Sequence, residues 1–169
     1  MKKVIFLATL ILLKVATAVA QPGSLDSSFS NDGLVKTTIT GTSAANAIAI
    51  QSDGKIVIAG RTSGGQGANI FGLVRYNSSG VYDNTFGTKG KVTTTFNALS
   101  TIGSSIAIQT NGMIVAGGHS NAGSVMVRYK KTGVLDSAFG VNGKIISDFG
   151  GVNEGTYSLA LQPDGKIIA

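Results

Sequence analysis

The stretch Ala47-Ile-Ala-Ile-Gln51-Ser-Asp53-Gly54-Lys55-Ile-Val-Ile-Ala59-Gly60 decides the fold, because the chain writes it twice more. It returns as Ile106-Ala-Ile-Gln109-Thr-Asn111-Gly112-Met-Ile-Val-Ala116-Gly117 and as Leu159-Ala-Leu-Gln162-Pro-Asp164-Gly165-Lys-Ile-Ile-Ala169. Each copy runs from a short apolar segment through a turn dipeptide into a second apolar segment. Asp53-Gly54, Asn111-Gly112 and Asp164-Gly165 therefore read as two-residue hairpin turns. Both central positions of such a turn need positive φ, which Asn or Asp followed by Gly tolerate best.

Two further markers recur in fixed order around this hairpin. One is Leu25-Asp26-Ser-Ser-Phe29-Ser-Asn-Asp-Gly33, repeated as Tyr82-Asp83-Asn-Thr-Phe86-Gly-Thr-Lys-Gly90 and Leu135-Asp136-Ser-Ala-Phe139-Gly-Val-Asn-Gly143. Its aspartates stand 57 and then 53 residues apart. The other is Leu73-Val-Arg75-Tyr76, repeated as Met126-Val-Arg128-Tyr129. In the middle unit the β-prone runs are 91–96, 106–109, 113–116 and 124–129, which is four short strands joined by tight turns. Four antiparallel strands at this period describe a β-propeller blade. Kelch-type blades repeat at about 50 residues and WD40-type blades at about 40–45. A β-solenoid is the alternative, although its coils are shorter and need no hairpins. The fold class is all-β, with about two and a half propeller-type blades and a ring left incomplete within this chain. The boundaries are 21–81, 82–134 and 135–169, after a separate segment 1–20.

These motifs resemble the delta-60 repeat family, whose units read Leu-Asp-x-x-Phe-Gly-x-x-Gly-Lys, then Gln-Pro-Asp-Gly-Lys-Ile, then Arg-Tyr. The likeness covers residue 25 to the end. It implies a bacterial secreted or surface propeller of unassigned molecular function. Ser30 departs from the pattern where Gly87 and Gly140 keep it, Tyr82 stands in place of leucine, and Asn111 in place of aspartate. Each exchange keeps turn or apolar character.

Residues 1–20 begin Met-Lys-Lys, continue in an apolar run from Val4 to Leu13 and end Ala18-Val19-Ala20. That is the form of a secretory signal with cleavage after Ala20. Lys14 stops the apolar run well short of the roughly 20 residues a membrane span needs. The expectation is a secreted or outer-surface protein with no stable membrane span after cleavage. Three of the 14 basic residues lie in this segment, which has no acid, so the formal charge of +6 falls to +3 without it. The remaining basic residues are dispersed, with Lys130-Lys131 the one adjacent pair, and nucleic acid is not an expected partner. The chain has no cysteine, which excludes disulfides and thiol chemistry, and no cofactor is expected.

Asp26, Asp83 and Asp136 are repeat-equivalent and isolated from other acids, so they suit turn-capping better than calcium binding. Arg75 and Arg128 precede the last two by eight residues across a hairpin, as an ion pair fastening successive units would. Phe29, Phe86 and Phe139 complete the same marker. His119, the sole histidine, matches no metal or nucleophile motif. The glycines from Gly60 to Gly67 lack the Lys-Ser/Thr ending of a phosphate loop. From Gly54 to Arg75 is 21 residues but from Gly112 to Arg128 is 16, so the extra five fall near 62–68. Loops that vary between repeats map to one face, often the binding face. The candidate binding residues are accordingly Thr62, Gln66, Asn69, His119 and Asn121.

The third unit stops at Ala169 before its Arg-Tyr strand, which predicts further blades in a longer chain. Three functions remain open. The first is a non-catalytic binding or adhesion scaffold for a glycan or an extracellular protein. The second is a carbohydrate-directed hydrolase or lyase with its catalytic residues in other blades, and the third a structural spacer array. An enzyme should carry non-repeating polar residues on inner strands, a binder in its loops.

Overall fold

The computed structural model describes residues 23–64, 67–97, 100–151 and 154–169; the expected signal segment and Gln66 lie outside them. The first sheet contains β1 (Ser43–Ile50), β2 (Ile56–Ser63), β3 (Asn69–Tyr76) and β4 (Lys91–Thr94), antiparallel and in chain order. The second repeats it with β5 (Thr101–Ile108), β6 (Ile114–Ser120), β7 (Gly123–Tyr129) and β8 (Lys144–Ser147). A third hairpin begins with β9 (Ala160–Leu161) and β10 (Ile167–Ile168). The fold is all-β, with two four-stranded blades and part of a third. Among the described residues the sheets do not close into a ring.

The sheets are out of phase with the sequence units. Lys91–Thr94 follows the Asp83 marker, yet pairs with β3 of the preceding unit, Val74 opposite Lys91 and Phe71 opposite Thr94. β8 pairs with β7 in the same way. Each sheet thus takes three strands from one unit and its fourth from the next. β5 packs across β1, β2 and β3, most extensively on β1, so successive blades approach closest at their first strands.

The core lies between the blades. Val57, Phe71 and Leu73 of the first meet Ile114, Val125, Val127 and Tyr129 of the second, with Phe86 and Phe96 between them. β3 and β6 are buried on both faces, which is why they read as continuous apolar runs rather than alternating ones. Tyr129 is fully buried, and its hydroxyl and that of Thr94 share a 2.6 Å hydrogen bond. Burial pushes the Tyr129 phenol well above its ordinary pKa.

The hairpin turns differ from the two-residue expectation. Gly54 N–H donates to Gln51 O at 2.9 Å and Gln51 N–H to Lys55 O at 2.8 Å, enclosing the three-residue loop 52–54. Of the Asp-Gly pair, the glycine alone takes a left-handed φ, 79°. A turn followed by a left-handed glycine is the usual three-residue hairpin. Asp53 contributes through its side chain instead: Oδ1 accepts the Lys55 amide at 3.2 Å, as Asn111 accepts that of Met113 and Asp164 that of Lys166. At the marker turn, Ser30 takes the same left-handed conformation as Gly87 and Gly140, with φ 53°.

β1 and β5 each carry a bulge, at Asn46 and Ser104, where the register shifts between Ala45 and Ala47 and between Gly103 and Ser105. The extra residue crowds the opposing strand. A Cβ on Gly60 would run into the Ala44 carbonyl, and one on Gly118 into that of Ile102. Gly118→Ala should therefore cost about 1–3 kcal/mol, the range for a steric fault in a packed strand, as read by denaturant unfolding. Tyr129→Phe, which leaves the buried Thr94 hydroxyl unpaired, should cost a similar ~1–3 kcal/mol.

Candidate functional site

Among the described residues the repeat markers assemble into two clamps, each joining two successive units. The Asp83 amide donates to Arg75 O at 3.0 Å, bringing the two side chains together. Arg75 Nε then donates to Asp83 Oδ2 at 2.9 Å, and its guanidinium lies 4.5 Å from the centroid of the buried Phe86 ring. Arg75 Nη1 reaches Gln51 Oε1 at 3.3 Å and the Lys131 carbonyl, in the next unit, at 2.6 Å. The arginine thus joins its own hairpin, the marker turn and the following blade. Arg128, Asp136 and Phe139 repeat the ion pair and the ring contact, with Nε to Oδ2 at 2.7 Å and the ring at 4.7 Å, whereas Gln109 Oε1, the counterpart of Gln51 Oε1, is buried without a hydrogen bond among the described residues.

Each marker aspartate also caps its own turn, Asp83 Oδ1 accepting the Thr85 amide at 3.0 Å and Asp26 Oδ1 that of Ser28 at 3.0 Å. Burial raises the Asp83 pKa, but the Thr85 hydrogen bonds and the Arg75 and Lys55 charges outweigh it and leave the carboxyl below its ordinary value. For Asp136 the Arg128 hydrogen bond is the leading cause of a lowered pKa. Oxygens committed in this way hold the fold together. No cluster of three or more His, Asp or Glu suited to a metal occurs among the described residues.

Several residues expected in binding loops stand elsewhere. Thr62 is fully buried in β2, with its hydroxyl on Thr40 and Ser43. Asn69 opens β3 and accepts a 2.9 Å bond from Arg61. His119 belongs to β6 and pairs with Ser124, not to a loop. Asn121 does occupy an exposed turn, the tip between β6 and β7. The extra residues of the first unit are taken up by the longer tip after Ser63 and by one added residue in each flanking strand.

A different set of polar residues comes together along the first strands. Asn46 Nδ2 donates to the Gly103 carbonyl of the next blade at 2.8 Å. Ser104 Oγ lies 3.4 Å from His119 Nδ1, and the His119 ring is 5.9 Å from that of Tyr157. Tyr157 is 62% exposed. Asn46, Ser104 and Tyr157 each precede the hairpin glutamine by five residues, so the three are repeat-equivalent. Here the repeat changes residue type, whereas at Asp, Arg and Phe of the marker it does not. That contrast was present in the sequence and could have singled these positions out.

One family model matches the chain. It is described as "Domain of unknown function (DUF5122) beta-propeller" and matches residues 51–86 and 109–139. Both matched segments run from a hairpin glutamine to a marker phenylalanine, Gln51 to Phe86 and Gln109 to Phe139. Each contains a complete Arg–Asp–Phe clamp apart from the far carbonyl. The likeness is to a β-propeller repeat, in agreement with the two sheets. No curated protein and no solved structure matches the chain.

Arg75→Met leaves the buried Asp83 with Lys55, 3.8 Å away, as its remaining cation, so the cost should fall below the about 3–5 kcal/mol of a fully uncompensated buried charge. Arg128→Met should cost less, because that side chain is 20% exposed against 5% for Arg75. Because the folded pKa values of Asp83 and Asp136 are depressed, their contribution is complete above the unfolded value of about 3.9 and lost as pH falls through the folded one. Stability measured from pH 7 downward should hold to about pH 5 and decline below about pH 4. An Asp136→Asn variant should show a shallower decline.

Proposed function

We propose that this chain is an exported repeat protein of the delta-60 type that serves as a non-catalytic binding scaffold, with a glycan as its ligand. The observation that carries this reading is the row Asn46, Ser104, His119 and Tyr157. The aspartates and arginines of the repeat markers are taken up in clamps and turns, while the polar groups that differ between units line up where the blades converge. An exposed aromatic ring beside amide, hydroxyl and imidazole groups offers an apolar face together with donors and acceptors. That combination suits a sugar ring, which is apolar on its faces and hydroxylated at its rim.

The placement of Asn46, Ser104 and His119 on strands, not in loops, favours a second reading, an enzyme. Ser104 and His119 are close enough to interact, although no carboxylate among the described residues is hydrogen-bonded to His119. Hydrolysis of a chromogenic ester or glycoside that disappeared in both Ser104→Ala and His119→Ala would replace the scaffold with an enzyme.

The export part of the reading is tested by producing the full chain in a secretion-competent bacterium and sequencing the product. The expected mature protein starts at Gln21; retention of Met1 in the cytoplasmic fraction would refute export. The binding part is tested on an immobilised glycan array with the intact chain. Retention of a restricted glycan set, weakened about ten-fold or more (a loss of about 1.4 kcal/mol) by Tyr157→Ala, is the expected result. A blank array, or binding indifferent to Tyr157→Ala and His119→Ala, would rule out the proposed glycan site, and a protein ligand would then be sought.

A further inference from the structure

Of the three arginines in the chain, Arg75 and Arg128 are held by marker aspartates. Arg61 meets no carboxylate among the described residues. It is half-buried in β2, and its Nη1 donates to Asn69 Oδ1 at 2.9 Å. Among the described residues nothing else engages the guanidinium, and none of its nitrogens is sealed from solvent without a partner. The donors left over from the five of a guanidinium are therefore open to a ligand.

The register places this arginine at the head of the row that contains Asn46. Arg61 stands opposite Ala44 on one side, two residues from the bulge at Asn46, and opposite Phe71 on the other. Its polar neighbours both reach the second blade. Asn46 Nδ2 donates to Gly103 O at 2.8 Å, and the Asn69 amide to Ser100 Oγ at 3.1 Å. Arg61 thus belongs to the cleft between the first and second blades. His119 holds the same position in the second sheet, opposite Ile102 and Ser124, and a Cβ on Gly155 of the third unit would strike its own. Arg61 and His119 are repeat-equivalent, and they differ as Asn46, Ser104 and Tyr157 do.

The two clefts differ in charge. Glu154 stands three residues before Tyr157, with its carboxylate oxygens on the amides of Phe149 and Gly151. Ser43 and Thr101 hold that position in the earlier units. One end of the row therefore carries a guanidinium, and the other a carboxylate beside an exposed aromatic ring.

Building on the glycan reading above, we propose that the ligand is an acidic glycan. Arg61 binds a sugar carboxylate in the first cleft, and a sugar further along the same glycan stacks on Tyr157 in the second. The planar guanidinium fork matches the two oxygens of a carboxylate. Asn69 fixes one of its nitrogens and so orients the plane, and partial burial strengthens an ion pair over one formed in open water. Glu154 repels the same carboxylate at the Tyr157 end, which sets the direction of the glycan along the row.

The test measures binding of the full chain to oligogalacturonate and to the same oligomer methyl-esterified, two probes that differ in whether the carboxylate is charged. The expected result is about ten-fold or more tighter binding of the acid form. Arg61→Gln should remove that difference and leave the ester unaffected. Rising salt should weaken the acid form alone. Equal affinities, or a preference for the acid that survives Arg61→Gln, would overturn the carboxylate site. If Tyr157→Ala then still weakened both probes, the glycan scaffold itself would stand. Retention of neutral glycans with neither probe bound carries the same meaning, whereas binding of no glycan at all would remove the scaffold and the carboxylate site together. Should Arg61→Gln fail to fold, the salt series on the unaltered chain decides: a gap between acid and ester that does not narrow as salt rises would refute the ion pair.

Discussion

The rest of the structure depends on one buried cation and the oxygens around it. The Arg75 guanidinium sits against an aromatic ring, on a carboxylate of its own marker turn and on a carbonyl of the next blade. A planar, permanently charged group with five donors can serve three directions at once, which an ammonium could not do with the same geometry. Burying such a charge is unfavourable unless every direction is satisfied. The arrangement therefore specifies where the hairpin, the turn and the neighbouring blade stand. The apolar contacts among Phe71, Leu73, Val125 and Val127 supply bulk attraction, but hydrophobic burial is non-directional and would tolerate other arrangements.

Much of this was legible in the sequence. The recurrence of Asp, Phe, Arg and Asp-Gly at a near-constant period led to the four-stranded blade, and the eight-residue interval between Arg and Asp to their ion pair. The turn type was misread because Asp-Gly is compatible with both a two-residue and a three-residue hairpin. What separates them is whether the aspartate backbone is left-handed, and here its side chain accepts the Lys55 amide instead. The phase of the sheets was not legible either. A periodic string of strands can be cut into fours at any point, and the pairing of β3 with β4 across the marker becomes visible only in three dimensions. Thr62 and His119 were placed in loops because a difference in length between repeats does not show how far the strands extend into it.

The repeat also separates two kinds of polar residue. At the constant aspartate and arginine positions, polar atoms are spent on the backbone and on each other. At the bulge in the first strand, the residue is free to be Asn46 or Ser104, because a bulged residue sits outside the regular ladder with no directly opposed residue. The cost of that freedom falls on the opposing strand, where Gly60 and Gly118 leave room for it.

The offset between sequence unit and sheet has a consequence for how such a gene can change. Any duplication or loss of one whole unit exchanges the fourth strand of one sheet for that of another, so that every rearrangement produces a hybrid sheet at its junction. Lineages that gain or shed units can survive only if fourth strands are interchangeable. Selection would then hold Lys91–Thr94 and Lys144–Ser147 to a common pattern through recombination between copies, whatever ligand each blade meets.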